Sequence, residues 1–212
     1  MKQLIEKIKI LQQSSLKDII NNRLREFESF KDKGNDEWFS ELCFCLLTAN
    51  SRAKTAINIQ KQLGAKGFLE YNENNLANCI IMNNHRFPNM KAKFIIEARK
   101  FSNIKSIINN IINKGNEADA REWLVSNVKG IGYKEASHFL RNTGHKNISI
   151  LDRHILNLML ENSVIPEKPK SLNKKMYFDI EQKFREIASQ LNMNLAELDL
   201  YMWYMKTGEV LK

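Results

Sequence analysis

Apolar positions recur with a helical period along almost the whole chain. Leu4, Ile5, Ile8 and Leu11 open the pattern. Ile104, Ile107, Ile108, Ile111 and Ile112 repeat it as an i, i+3, i+4, i+7, i+8 stripe, which predicts a half-buried helix, and Gly115 stops it. Phe94, Ile95, Ala98 and Phe101 mark a further helix begun after Pro88. Period-two alternation between turn residues is missing, so the expected fold class is all-α. Candidate joints are Lys31–Asp36, Gly64–Gly67, Asn83–Pro88, Gly115–Asp119, Thr143–Asn147 and Pro166–Ser171. Together they delimit roughly ten helices. There is no repeat of fixed period and no low-complexity tail.

Composition narrows the class. At 212 residues, 43% of them hydrophobic, the chain can build one large or two small packed units. Thirty-three Lys and Arg against 24 Asp and Glu give a net charge of +9. That balance suits a nucleic-acid partner and equally a solvated basic surface. Three cysteines make neither a disulfide framework nor a four-cysteine metal site. Cys43 and Cys45 lie in the apolar run Leu42–Leu47, where cysteine acts as a small hydrophobe. The opening MKQLIEKIKILQQ suits an amphipathic helix rather than a secretory leader, and no apolar stretch approaches membrane-spanning length. A soluble, intracellular protein is expected.

The chemistry concentrates at Val128-Lys-Gly-Ile-Gly-Tyr-Lys-Glu-Ala136, with Asp152 eighteen residues past Lys134. Arg121–Val128 reads as one helix, Lys129–Gly132 as a tight turn and Tyr133–Leu140 as the beginning of a second helix. Gly130 and Gly132 suit a turn where positive φ or close backbone approach excludes a Cβ. Ile131 is placed to plug the turn into the apolar interior. Such a hairpin offers backbone N–H groups and a helix N-terminus to a phosphate. Lys134 falls in the first turn of the second helix, where the helix field disfavours an ammonium and favours the neutral amine that attack on a sugar carbon requires. An exposed lysine or a phosphate contact is the plainer alternative. Asp152 directly precedes the apolar run Ile155–Leu160, so it reads as a helix N-cap as well as a candidate catalytic carboxylate. His154 reads as packed or exposed rather than catalytic.

The stretch 121–142 resembles the helix-hairpin-helix of the DNA glycosylase superfamily, in its lysine-bearing bifunctional form. Three further stretches resemble the compact archaeal-type 8-oxoguanine DNA glycosylases: Leu46-Leu-Thr-Ala-Asn50, Asn84-His-Arg-Phe-Pro88 and the ending Asp199–Lys212. The resemblance covers nearly all of residues 1–212. It implies two interleaved helical subdomains, with both chain ends in one of them and the active site in the interdomain cleft. It implies that Lys134 attacks C1′, displaces the base and forms a Schiff base that permits strand cleavage. Asp152 would stabilise the cationic sugar and assist proton transfer, for which a carboxylate suits oxocarbenium character. Lys129, Gly130 and Gly132 would anchor the DNA backbone, and Arg52 and Lys54 would meet phosphates. Asn50 would fill the space left by the extruded nucleotide, or else cap the next helix; members of the family often carry glutamine there. Phe87 is a wedge beside the orphan base or a packed ring.

At the end of the chain, Gly208 is placed to stop the last helix, letting Glu209–Lys212 fold back or fray. Trp203 is a stacking face for the flipped base or a core tryptophan. The terminal carboxylate of Lys212 is the candidate acceptor for the N7 hydrogen that distinguishes 8-oxoguanine from guanine. No organic cofactor and no metal site are implied, although related hairpins hold a monovalent cation through backbone carbonyls. Since no cysteine follows Cys79, the iron–sulfur cluster of some superfamily members is excluded. The implied partner is double-stranded DNA containing 8-oxoguanine, met by a cytoplasmic, nucleoid-associated monomer. Two rivals stay open: a glycosylase for an oxidised pyrimidine or mismatched thymine, and a non-catalytic helix-hairpin-helix DNA-binding module.

Overall fold

Every regular element of the computed structural model, which describes residues 1–212, is helical. Two helices open the chain, α1 (Lys2–Gln12) and α2 (Leu16–Ser29). Seven follow: α3 (Asn35–Thr48), α4 (Ala53–Glu70), α5 (Glu73–Met82), α6 (Pro88–Ala98), α7 (Ile104–Lys114), α8 (Glu117–Asn127) and α9 (Tyr133–Asn142). Three close it: α10 (Arg153–Glu161), α11 (Lys174–Gln190) and α12 (Leu195–Thr207). The twelve exceed the expected ten because some breaks carry neither glycine nor proline. Ser14 separates α1 from α2 by donating its hydroxyl to the Leu11 carbonyl and accepting the Leu16 N–H. Asn72, Asn116, Asn173 and Asn194 start α5, α8, α11 and α12 by accepting from N–H groups of the first turn. The expected joint at Gly64–Gly67 is a kink inside α4, where Gly64 takes φ +59° and the helix resumes.

The chain divides into two units, Phe30–Thr143 and the pair of segments Met1–Ser29 and Gly144–Lys212. In the unit 30–143 the central element is α3, buried continuously from Trp38 to Thr48. Trp38 packs edge-on against Phe139 of α9, 5.8 Å between centroids, and donates its indole N–H to the Phe30 carbonyl at 2.9 Å. Glu41, also buried, accepts from Gln60 of α4 at 3.1 Å and from Asn142 of α9 at 2.6 Å. A buried carboxylate survives only when its oxygens are satisfied this way, and the node fixes α9 against α3. Cys43 and Cys45 lie wholly inside this core as free thiols.

In the other unit, α11 holds the extended segment that leads into α10. Tyr177 donates its hydroxyl to the Ser149 carbonyl at 2.8 Å and accepts the Leu151 N–H at 3.3 Å. Ser149 in turn donates its hydroxyl to Glu181 at 2.8 Å. These bonds replace the sheet partners that the segment lacks. They fix the approach to Asp152.

Candidate active site

The hairpin is built from α8, a short turn and α9. α8 starts at Glu117, four residues before the expected Arg121, because Asn116 and Asp119 form a reciprocal capping box: Asn116 Oδ1 accepts the Ala118 and Asp119 N–H groups, and Asp119 accepts the Asn116 N–H at 3.0 Å. The turn closes with the Ile131 N–H donating to the Val128 carbonyl at 3.1 Å, and Ile131 is buried as expected. Tyr133 of α9 donates its hydroxyl to Glu122 of α8 at 3.0 Å, tying the two helices together beyond the turn.

The two glycines differ. Gly130 has φ +88°, and a Cβ there would lie 2.4 Å from Phe94 Cδ2 of α6, so both conformation and space demand glycine. Gly132 has φ −103° and ψ −175°, extended backbone open to any residue, and its Cβ would meet only Glu135 Oε2 at 3.2 Å. The expectation that Gly132 avoids a Cβ for backbone reasons is therefore corrected. Its use is its N–H, which donates to Glu135 Oε2 at 3.3 Å. Lys129 beside them is exposed, paired with Glu97 at 3.1 Å and set over the Phe94 ring at 5.8 Å.

Lys134 is the second residue of α9. Its Nζ lies 3.1 Å from Glu135 Oε1, and its side chain is 25% exposed. A second lysine stands in its electrostatic neighbourhood. Lys91 of α6 is only 2% exposed and donates to the Leu46 carbonyl at 2.6 Å. Burial pushes its pKa down to about 8, Glu135 opposes that shift and Lys134 adds to it. A depressed pKa alone would nominate Lys91 as the amine nucleophile. Access separates the two: the Lys91 amine is sealed in the interior and tied to a carbonyl, whereas the Lys134 side chain is partly exposed.

Two loops near α3 and α6 carry the other candidates of this unit. Asn50 follows the end of α3, exposed, with φ +60°, a conformation that asparagine tolerates better than most residues. It does not cap α4, whose N-cap position is taken by Arg52 with no side-chain bond, so that alternative is set aside. Arg52 is exposed. Phe87 is also exposed, at 36%, with the Arg86 guanidinium 5.3 Å from its centroid, which removes the packed-ring reading. His85 ties the second loop to the last turn of α3. Its Nδ1 accepts the Phe87 N–H at 3.2 Å, so Nε2 carries the hydrogen and donates to the Leu47 carbonyl at 2.9 Å. Burial lowers the pKa of this imidazole, in keeping with the neutral ring.

Asp152, in the other unit, is the N-cap of α10 and accepts the His154 and Ile155 N–H groups at 2.8 and 2.9 Å. Both bonds fall on Oδ1, so Oδ2 is not spent on the cap. Structural and chemical roles are thus compatible in one side chain. Trp203 of α12 is half-buried rather than in the core, edge-on to His154 at 5.0 Å, and its buried indole Nε1 has no hydrogen-bond partner. Gly208 ends α12 in the left-handed conformation at φ +71°. Glu209–Lys212 are half-buried, with the Val210 carbonyl accepting from Arg23 at 3.5 Å, so the tail is folded back rather than frayed.

Comparison with known proteins places the fold in a family. Residues 20–193 match the family model for 8-oxoguanine DNA glycosylase, of the helix-hairpin-helix type. The chain belongs to the 8-oxoguanine DNA glycosylase family. It is 51% identical, over 99% of both chains, to a Methanocaldococcus jannaschii protein named 8-oxoguanine DNA glycosylase/AP lyase. The structure of the M. jannaschii glycosylase/lyase in complex with a 15mer DNA containing 8-oxoguanine superposes with a TM-score of 0.96 at 50% identity, covering 99% of this chain and 100% of that one. The Thermotoga maritima 8-oxoguanine DNA glycosylase superposes with a TM-score of 0.92 at 38% identity, over 100% of this chain and 99% of that one.

Within this glycosylase fold, sequence reasoning missed Glu135, Phe94 and His85 and gave Lys91 no role. Glu135 had a usable signal, since a glutamate three residues after a helix cap is the capping-box spacing. Buried Lys91 has none, because in sequence it reads as a surface lysine. No group of three or more His, Cys, Asp or Glu could hold a metal ion. No helix is long and apolar enough to cross a membrane.

Proposed function

We propose that this chain excises 8-oxoguanine from DNA and cleaves the resulting abasic site, as a bifunctional glycosylase and lyase, with Lys134 as the nucleophile. The observation that carries the reading is an accessible amine on the second residue of the helix that leaves a glycine hairpin, in a chain whose relatives bear that activity in their names. The neutral amine of Lys134 attacks C1′. The C1′–N9 bond breaks and the base leaves with a proton. Opening of the sugar ring gives a protonated Schiff base, which acidifies C2′–H; loss of that proton expels the 3′ phosphate.

Asp152 supplies negative charge to the cationic sugar through the oxygen that the α10 cap does not use. Backbone N–H groups at Lys129 and Gly130 hold a phosphate, those of Ile131 and Gly132 being taken by the Val128 carbonyl and Glu135, with Arg52 at a second one. Asn50 and Phe87 enter the duplex, which recovers part of the few kcal/mol that extrusion of a nucleotide costs. Trp203 stacks on the flipped base, and the Lys212 carboxylate accepts its N7 hydrogen. A buried acceptor there leaves guanine with lone pairs facing each other, the kind of mismatch that gives large discrimination. No organic cofactor enters the reaction; a monovalent cation on the hairpin carbonyls would act only as a bridge to phosphate.

Borohydride trapping on duplexes that each carry one lesion tests the substrate. A covalent adduct on 8-oxoguanine duplexes, in excess over oxidised-pyrimidine and mismatched-thymine duplexes, is the expected result. Preference for either of the others would overturn the assignment.

A further inference from the structure

We propose that His85 is a positioning residue for extrusion of the damaged nucleotide: its ring clamps the backbone of Phe87 to the last turn of α3, so that Phe87 meets the duplex on a rigid support. The proposal rests on the reading that Asn50 and Phe87 enter the DNA. The end of α3 is closed by side chains rather than by further helix. The last four carbonyls of a helix have no partner within it. Here Cys45 accepts from the Thr48 hydroxyl at 2.8 Å, Leu46 from Lys91 Nζ at 2.6 Å and Leu47 from His85 Nε2 at 2.9 Å. Thr48 accepts the Ser51 N–H at 3.2 Å. Two of these four donors, His85 and Lys91, flank Phe87 in sequence. Asn50 leaves the same turn three residues after Leu47. The turn that leads to one inserted residue is therefore held by the segment that carries the other.

Phe87 is pinned on both sides of its backbone. Its N–H donates to His85 Nδ1 at 3.2 Å, and its carbonyl accepts the Lys91 N–H at 3.0 Å. Its ring stays exposed, whereas the ring of His85 is buried. A fixed backbone beneath a free aromatic ring suits insertion, because the ordering cost is met before DNA binds. Histidine serves this clamp through one acceptor and one donor nitrogen on a single rigid ring. A phenyl ring of similar size offers neither. Asparagine can keep the acceptor for the N–H two residues on, as in an Asx-turn, and glutamine can keep the longer reach to Leu47.

The test compares substrates that differ in the work of extrusion. Single-turnover excision is followed on 8-oxoguanine in a fully paired duplex and on the same lesion in a one-nucleotide bulge, which leaves no orphan base. Borohydride trapping at a preformed abasic site and thermal melting accompany both. His85→Phe should slow excision from the paired duplex roughly tenfold, the scale of one or two lost hydrogen bonds, and leave the bulge and the abasic site near native rates. His85→Asn and His85→Gln, each keeping one of the two bonds, should fall between His85→Phe and the native protein. Phe87→Ala should show the same substrate pattern, and adding His85→Phe to it should cost nothing more, because residues acting through one another are not additive. Losses that multiply in the double variant, or that are equal on all three substrates in step with melting temperature, would show a purely structural role and overturn the proposal. An impaired Phe87→Ala beside His85 variants of native rate would overturn the proposal and leave the insertion reading standing. Native excision by Phe87→Ala would sink both.

Discussion

Lys134 Nζ lies 3.1 Å from Glu135 Oε1, while Oε2 of the same carboxylate accepts the Gly132 N–H. One side chain thus touches both the candidate nucleophile and the hairpin. Glu135→Gln retains an acceptor for Gly132 but removes the ion pair that tethers Lys134 Nζ. Its borohydride trapping on an abasic duplex should change several-fold, the scale of one lost ion pair, with DNA binding kept. Glu135→Ala should also weaken DNA binding, because the hairpin cap goes with it. Identical trapping rates for Glu135→Gln and the native protein would mean that the ion pair has no part in catalysis.

Asp152 separates stability from chemistry. Asparagine is as good an N-cap as aspartate, so Asp152→Asn should melt near the native temperature, whereas Asp152→Ala should cost about 1 kcal/mol. Excision should fall roughly a hundredfold or more in both, the usual scale for loss of a catalytic acid–base group. Normal excision by Asp152→Asn would leave the side chain as a cap and nothing else.

The hairpin glycines should part company. Gly130→Val drives a side chain into Phe94 and forces a β-branched residue to φ +88°, at a cost of roughly 1–3 kcal/mol. Binding should weaken on damaged and undamaged duplexes alike. Gly132→Ala keeps its N–H at an ordinary backbone conformation and should bind and melt almost as the native protein does. Equal damage from the two substitutions, measured by melting and by fluorescence anisotropy on both duplexes, would contradict the distinction.

That distinction shows what a sequence reveals and what it hides. The all-helical class, the hairpin and its register, the position of Asp152 and the stop at Gly208 were legible, because periodicity, glycine and cap residues are local signals. Breaks such as Ser14, made by a hydroxyl bonding to its own backbone, were not. Nor were Lys91 and His85, whose meaning lies in the α3 carbonyls they meet, more than thirty residues away in sequence. Gly130 looked like its neighbour Gly132 until Phe94, brought in by α6, showed which of the two has no room.

Lys91 also predicts how stability depends on pH. Its folded pKa of about 8 lies below the ordinary 10.5. Between these values the unfolded chain binds the proton and the folded chain does not, so stability rises with pH across that window. The group costs roughly 3 kcal/mol below pH 8, a cost relieved towards pH 10.5. Lys91→Met should therefore be no less stable than the native protein at pH 7, and its advantage should shrink by pH 10. Denaturant melts at the two pH values measure this; a large destabilisation at pH 7 that persists at pH 10 would contradict it.

The tail should matter to the lesion and not to the lyase step. Deleting Lys212, or adding a C-terminal tag, should slow excision of 8-oxoguanine far more than cleavage at a preformed abasic site. Equal rates for native, truncated and tagged proteins on 8-oxoguanine would remove the terminus from the pocket.

In the proposed reaction one amine, on the second residue of α9, does the chemistry. Lys134→Gln leaves Gly130, Gly132 and the Glu135 cap in place, so it should bind duplexes containing 8-oxoguanine with native salt dependence, the mark of retained phosphate contacts. Borohydride trapping of that variant on the same duplex is the most direct measurement. No covalent adduct and no strand cleavage are expected; adduct formation at the native rate would show that the nucleophile lies elsewhere.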